Sequence, residues 1–342
     1  MYVIGTSDKN CLTGYLEKSQ INIRQLIFKA IEKKAVILIC GPTCSGKTAA
    51  ALNIALLLNT DIISVDSMQV YKKMDIGTDK INTCKYGIRQ YMTDIFKPSH
   101  HVTAVEFREK CRKIIENDFF SKNRIPLLAG GSGLYIRAVI DDLKFAVKKT
   151  ANLPSRFPEN TCSSADEYEK LKKVDPGYAK KISPNDSRRI SGALQVYRKT
   201  GKPFSQFEDT WNKRESVYRT VLVGLTKEKN NLHECIENRV SVMFENGLID
   251  EVKSLLSAGY QNCSSLMQAV GYKEVIRYLE GEATEDECRQ RIVKNTKKLA
   301  KKQLTWFKAD TRINWIRADY YDNIIYLIGD IIKIIWKDLD NE

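Results

Sequence analysis

Residues 35–48 read AVILICGPTCSGKT, and this stretch decides the fold. The first six are an unbroken apolar run, the pattern of a strand buried on both faces. The next eight, 41–48, follow G-x-x-x-x-G-K-[ST], the phosphate-cradling P-loop. Gly41 and Gly46 permit backbone torsions that other residues resist, so successive N–H groups can point at one anion. Lys47 brings a positive charge to the outer phosphates, and Thr48 offers a hydroxyl to Mg²⁺. KTAAALNIALLLN, 47–59, is predicted as the helix whose dipole adds to the anion site. Pro42, Thr43, Cys44 and Ser45 complete the loop, and the sequence assigns Cys44 no role. The loop specifies a polyphosphate, not which one.

Outward from this unit the pattern repeats. DIISVDS (61–67), RIPLLAGGSG (124–133) and YRTVLVGLT (218–226) read as further buried strands. Helical periodicity is expected near 20–33, over 103–120, over 186–215 and through most of 228–308. Strands alternating with helices predict an α/β fold, a P-loop NTPase-like parallel sheet flanked by helices. Residues 1–34 read as an N-terminal extension, and 35–142 with 216–342 as the P-loop core with a basic helical C-terminal part. Residues 143–215 read as a mainly helical insertion. The apolar stretch IIYLIGDIIKIIW, 324–336, is broken by Asp330 and Lys333 and is expected to be a packed terminal helix. No run of about 18 apolar residues occurs, so no membrane partner is expected.

Composition narrows the partners. The 342 residues carry a net charge of +13, which favours an anionic partner such as nucleic acid. Nine cysteines without a C-x-x-C pair, and three scattered histidines, argue against a zinc site and for reduced thiols in a cytoplasmic setting. The charge is uneven. Between Arg289 and Arg312 lie nine Lys and Arg and one acid. Lys294, Lys298 and Lys302 follow i, i+4 spacing, with Lys297 and Lys301 on an adjacent stripe. Like charges at that spacing repel unless an anion meets them. A second basic stretch, 184–204, holds Arg188 and Arg189.

Asp66 stands at the end of a buried strand, where an ionised carboxylate needs partners. It suits a metal ligand, a general base or a turn cap. Lys80 is a secondary phosphate candidate. Ser132, in the glycine turn AGGSG, is a candidate substrate contact.

Taken together, GPTCSGKT (41–48), ISVDSMQVYKKMDIGTDK (63–80), LAGGSGLYIRAVI (128–140), ISPNDSRRISGALQVYRKTGKPFS (182–205), NRVSVMFENGLIDEV (238–252), LMQAVGYKEVIRYLEGE (266–282) and NTKKLAKKQLTWFKADTRINWI (295–316) resemble the tRNA dimethylallyltransferases, also called tRNA isopentenyltransferases. The D-S-M-Q-V-Y and Q-L-T-W-F signatures are far more specific than the P-loop alone. The family transfers a dimethylallyl group from dimethylallyl diphosphate to the N6 amine of the adenine just 3′ of the tRNA anticodon. On this resemblance the loop 41–48 grips a diphosphate leaving group with Mg²⁺, and no γ-phosphate moves. Asp66 matches the general base, while Lys47, Thr48 and Arg239 stabilise the departing diphosphate. Ser67, Met68, Gln69 and Ser132 are expected on the base side. Arg188, Arg189, Gln268, Gly271, Tyr272, Lys273, Lys297, Lys298, Lys301 and Lys302 match tRNA-contacting segments. A monomer that grips the anticodon stem-loop is what the resemblance implies.

Some positions depart from the family pattern. Ser183 stands for the usual His, Gly192 for an Arg and Ser132 for a Thr, and 144–170 is divergent. An adenylate isopentenyltransferase acting on free AMP, ADP or ATP shares the loop and the aspartate. It has no need of a basic helix ending in Q-L-T-W-F. A P-loop small-molecule kinase is the alternative of another class.

Overall fold

The computed structural model describes residues 3, 5–143, 164–207 and 213–341. They form two compact units, one of residues 1–139 with 218–342, the other of residues 140–217.

The larger unit is built on a six-stranded parallel sheet in the order β3-β2-β4-β1-β5-β6. Helices α1 (Thr6–Glu17) and α2 (Ile23–Glu32) lead into β1 (Ala35–Cys40). After the P-loop come α3 (Lys47–Leu58), β2 (Ile62–Ser64), β3 (Gln90–Tyr91), α4 (Ala104–Ile114), β4 (Leu127–Gly130) and α5 (Gly133–Ile140). All six residues of β1 are buried, as a central strand between two layers of helices requires. Its neighbours are in register at Ile37 with Leu127 and Ile37 with Val221. The strands are parallel, so their C-terminal ends gather on one edge, where α/β sheets place their sites.

The helices α1 and α2 are not a loose appendage. Leu12, Leu16, Leu26 and Ala30 are buried in the same core as α3 and the last helix. α2 was expected from sequence; α1 was not.

The smaller unit holds α6 (Ser164–Val174), α7 (Pro176–Ala179) and α8 (Ser187–Thr200) around its own core of Leu171, Tyr178, Ile182, Ile190 and Leu194. Asp175 accepts from Tyr178 N at 3.1 Å and from Ser205 N at 2.7 Å, tying the end of the unit to the start of α7. Much of the divergent stretch 144–170 lies outside the described residues.

The chain then returns as β5 (Arg219–Thr226), α9 (Lys229–Glu245), α10 (Leu248–Ser257), α11 (Ser264–Gln268), α12 (Tyr272–Leu279), the long α13 (Glu285–Lys308), β6 (Asn314–Arg317) and α14 (Ile324–Asp340). In α14, Asp330 is absorbed by bonds from Tyr15 Oη and Tyr321 Oη, both at 2.8 Å, and by Lys333 at 3.1 Å. Among the described residues no helix is long and apolar enough to cross a membrane.

Candidate active site

The loop between β1 and α3 has positive φ at Gly41 (142°), Cys44 (62°) and Gly46 (94°). A Cβ at position 41 would lie 2.1 Å from the Leu225 carbonyl oxygen, so only glycine fits there. Cys44, which the sequence left without a role, packs against the small apolar cluster of Leu232, Ile236 and Ala300. Its side chain anchors the loop to α9 and α13. Lys47 donates to the Pro42 carbonyl at 2.5 Å. Burial lowers the Lys47 ammonium to about 8, opposed by the Asp66 carboxylate and aided by the Arg239 guanidinium.

Asp66 follows β2. Its Oδ1 accepts from Met68 N at 2.8 Å and Gln69 N at 3.3 Å, so it does cap the next turn. Among the described residues its Oδ2 has no hydrogen-bond partner, so one oxygen of the carboxylate holds the backbone and the other does not.

Arg239, on α9, donates from Nη1 to Thr43 Oγ1 at 2.9 Å and pairs with Asp79 Oδ2 at 3.0 Å. Among the described residues its Nε is buried without a partner. Gln303, on α13, accepts from Thr43 N at 2.9 Å and donates from Nε2 to Gly131 O at 3.0 Å.

Two cavities meet at these residues. One, of about 480 Å³, is lined by Lys47, Thr48 and Gln69; the other, of about 100 Å³, by Met68, Ala269, Thr296 and Leu299. Thr43, Asp66, Thr78, Arg239 and Gln303 border both. A chamber beside the P-loop, with Lys47 and Arg239 in its wall, thus abuts a smaller one of mixed lining, with a carboxylate at the boundary.

A third cavity, of about 1200 Å³, runs between α9 and α13, with Leu232, Val293, Ala300 and Leu304 in its lining. Lys294, Lys298, Lys301 and Lys308 also line it, and among the described residues they have no ion-pair partner. Lys297 lines it too, but pairs with Glu237 at 2.6 Å. Lys302 is exposed outside it.

Two expectations, for Tyr272 and Lys80, need correction, and the other candidates sit in varied surroundings. Tyr272 is fully buried, and its Oη donates to Glu251 Oε1 at 2.7 Å. Burial and the neighbouring Glu251 push its phenol well above the usual range. Its ring packs on Gly77, so this side chain holds a turn and does not face a partner. Lys80 is spent on Asp75 and Asp94, each at 2.7 Å, which neutralise it as a phosphate ligand. Ser132 Oγ accepts from Ser67 N at 3.0 Å and bonds the Ser67 hydroxyl, joining two strand ends. The Gln69 side chain is held by Ser64 and Thr78 and lines the larger chamber, not the smaller one. Gln268 is exposed, Gly271 bonds Glu274, and Lys273 lies 3.7 Å from Glu274. Arg189 is exposed on α8 beside Asp186; the side chain of Arg188 lies outside the described residues.

The sequence reading missed Asp79, Glu251 and the individual role of Gln303. The signal for Gln303 was present: it is the one amide between the lysines and the aromatic pair of Q-L-T-W-F.

Comparison with known proteins fits this geometry. Residues 69–310 match the family model "IPP transferase". The tRNA dimethylallyltransferase of Thermoanaerobacter sp. (strain X514) is 41% identical over 306 residues, covering 88% of this chain and 97% of that one. That of Carboxydothermus hydrogenoformans is 42% identical over 286 residues, covering 82% and 91%. Among solved structures, a full-length tRNA isopentenylpyrophosphate transferase from Bacillus halodurans superposes with a TM-score of 0.65 at 35% identity, covering 90% of this chain and 98% of that one. A eukaryotic dimethylallyltransferase acting on tRNA gives 0.67 at 27% identity, covering 83% and 74%.

Proposed function

The chain belongs to the IPP transferase family, and from that premise we propose that it transfers a dimethylallyl group from dimethylallyl diphosphate to the N6 amine of the adenine just 3′ of a tRNA anticodon. One observation carries the reading: Asp66 stands where the chamber beside the P-loop, walled by Lys47 and Arg239, meets a smaller second chamber.

The diphosphate takes the larger chamber, against Lys47, Thr48 and Arg239. The adenine, taken out of the loop stack, takes the smaller one beside Met68 and Leu299. The N6 nitrogen forms a bond to the first carbon of the dimethylallyl group as that carbon's bond to the diphosphate oxygen breaks. N6 is a weak nucleophile because its lone pair is delocalised into the ring. Asp66 Oδ2 accepts the N6 proton, so the new bond does not leave a cationic nitrogen. Charge grows on the leaving diphosphate, and Lys47 and the Arg239 guanidinium meet it in a site shielded from water.

A divalent cation that travels with the diphosphate fits the donors present. Thr48 offers one hydroxyl, and no cluster of three His, Cys, Asp or Glu side chains that would hold a metal on its own occurs among the described residues. Bound there, it would neutralise part of the leaving group's charge.

The five groups that border both chambers favour prenyl transfer over phosphoryl transfer, which needs no carboxylate facing a base pocket. The unpaired lysines of α13 favour a polymeric acceptor over free AMP or ATP. The test is mass spectrometry after incubation with dimethylallyl diphosphate, Mg²⁺ and either unmodified tRNA or AMP. Prenylated tRNA is expected. Prenylated AMP with untouched tRNA would sink the reading.

A further inference from the structure

The Q-L-T-W-F segment carries an arrangement that the reaction scheme does not use. The geometry points to Gln303 as a positioning residue that clamps the diphosphate loop to the base-side turn and so sets the distance between leaving group and general base. This deepens the prenyl-transfer reading and rests on it.

Each bond fixes the amide's orientation. Thr43 N is a donor, so Oε1 must face it at 2.9 Å; Gly131 O is an acceptor, so Nε2 must face it at 3.0 Å. Only a side chain with one donor and one acceptor at this reach serves both. The two ends are not equivalent. Thr43 belongs to the loop that bears Lys47, and its hydroxyl is held by Arg239. Gly131 follows β4, and the next residue, Ser132, bonds Ser67 beside Asp66. Gln303 therefore joins the half of the site that holds the leaving group to the half that holds the base.

The fit at Gly131 is close. A Cβ there would lie 2.6 Å from Gln303 Nε2 and 3.3 Å from Gly41 O. One turn later, Trp306 packs on Gly133, where a Cβ would come within 2.3 Å of the indole. Residues 303 and 306 share a helical face, so two small residues of the glycine turn key the end of α13 in place. Thr296 and Leu299, on the same face, line the base chamber. Gln303 lies where that face reaches the P-loop.

A positioning role predicts a split between turnover and binding. Gln303→Ala should lower kcat by about 10²-fold, the scale of a misplacement near 1 Å, with tRNA and pyrophosphate affinities changed no more than about threefold. Gln303→Glu keeps the shape but loses the donor to Gly131, and should lower kcat as well. Gly131→Ala should cost turnover in the wild-type background and much less in Gln303→Ala, where the amide it strikes is gone. Hydrogen exchange of the 41–46 backbone should rise in Gln303→Ala.

Unchanged kcat in Gln303→Ala, or losses for the two substitutions that multiply, would overturn the assignment, as would equal losses in binding and turnover. A wild-type chain that prenylates no tRNA would instead sink the functional reading. The exchange measurement still decides the clamp in that case, and unaltered exchange would overturn it.

Discussion

Arg239 Nη1 lies 2.9 Å from Thr43 Oγ1, so the P-loop is held from outside by a guanidinium on α9. The same nitrogen pairs with Asp79, and Nε is buried with no partner among the described residues. A buried donor without a partner is costly unless a ligand meets it. Arg239→Ala should therefore lower kcat by about 10²–10³-fold, the usual loss for one charge-stabilising donor, and leave tRNA affinity nearly unchanged. Arg239→Lys keeps the charge without the planar fork and should recover only part of the rate. Single-turnover kinetics at saturating tRNA measure both.

Glu251 gathers four donors on one carboxylate. Asp75 N, Ile76 N and Gly77 N lie at 2.9, 2.8 and 3.3 Å, and Tyr272 Oη at 2.7 Å. The D-I-G-T turn so held leads into Asp79, the partner of Arg239. Glu251→Ala orphans all four donors and should cost about 3 kcal/mol, read as a lower urea midpoint. Tyr272→Phe removes a single bond and should cost about 1 kcal/mol. An Ala variant as stable as wild type would show that the turn stands without the carboxylate.

Asp319 predicts a pH dependence. Its Oδ2 accepts from Glu228 N and Asn231 Nδ2, both at 2.8 Å, at the start of α9. The Arg317 guanidinium, bonded at 3.0 Å, holds this carboxyl well below the usual range. A carboxyl depressed on folding adds stability that is present above its unfolded pKa, near 4, and is lost as pH falls through the folded value. Asp319→Asn should be less stable than wild type at pH 7, and the gap should begin to narrow below about pH 4 and go on narrowing as pH falls toward the depressed folded value. Urea midpoints across pH measure this; a gap that persists into acid would contradict the assignment.

The strands β1, β2, β4 and β5 were legible because each is an apolar run buried on both faces. The strands β3 and β6 were not. Gln90–Tyr91 is two residues long, and Asn314–Arg317 reads NWIR; both are strands only because a neighbour pairs with them. The site divides the same way. The P-loop is a local pattern that one window of sequence contains. Gln303 meets Thr43 across 260 residues and Gly131 across 172, and Glu251 meets Ile76 across 175. No periodicity encodes such partners. The same long-range packing overturned Tyr272, expected from the resemblance to contact tRNA, and Lys80, a secondary phosphate candidate; the fold consumes both in its own contacts.

The lysines of α13 differ in what they have left to give. Among the described residues Lys294, Lys298 and Lys301 line the groove against α9 without ion-pair partners, whereas Lys297 is already paired with Glu237. Replacing these three lysines by Ala should weaken tRNA binding. It should also reduce the slope of log affinity against log salt by about 2–3, at 0.7–0.9 per phosphate contact. Lys297→Ala should change the slope by much less. A titration series in KCl separates the two, and equal slopes for all four single variants would refute the distinction.

On the proposed reaction Asp66 has two jobs that a substitution can separate. Oδ1 caps the turn by accepting from Met68 N and Gln69 N, and among the described residues Oδ2 has no hydrogen-bond partner. Asn keeps an oxygen for the cap and loses the base, whereas Ala loses both. Asp66→Asn should therefore fold and bind tRNA and pyrophosphate as wild type does, with transfer reduced by about 10²–10⁴-fold, the range for a general base. Asp66→Ala should add a stability loss of about 1 kcal/mol from the missing cap. If Asn retains near-normal transfer, Asp66 is only a cap, and the proton from N6 goes elsewhere. If Asn loses stability and transfer together, its effect on rate reports the turn and not the chemistry.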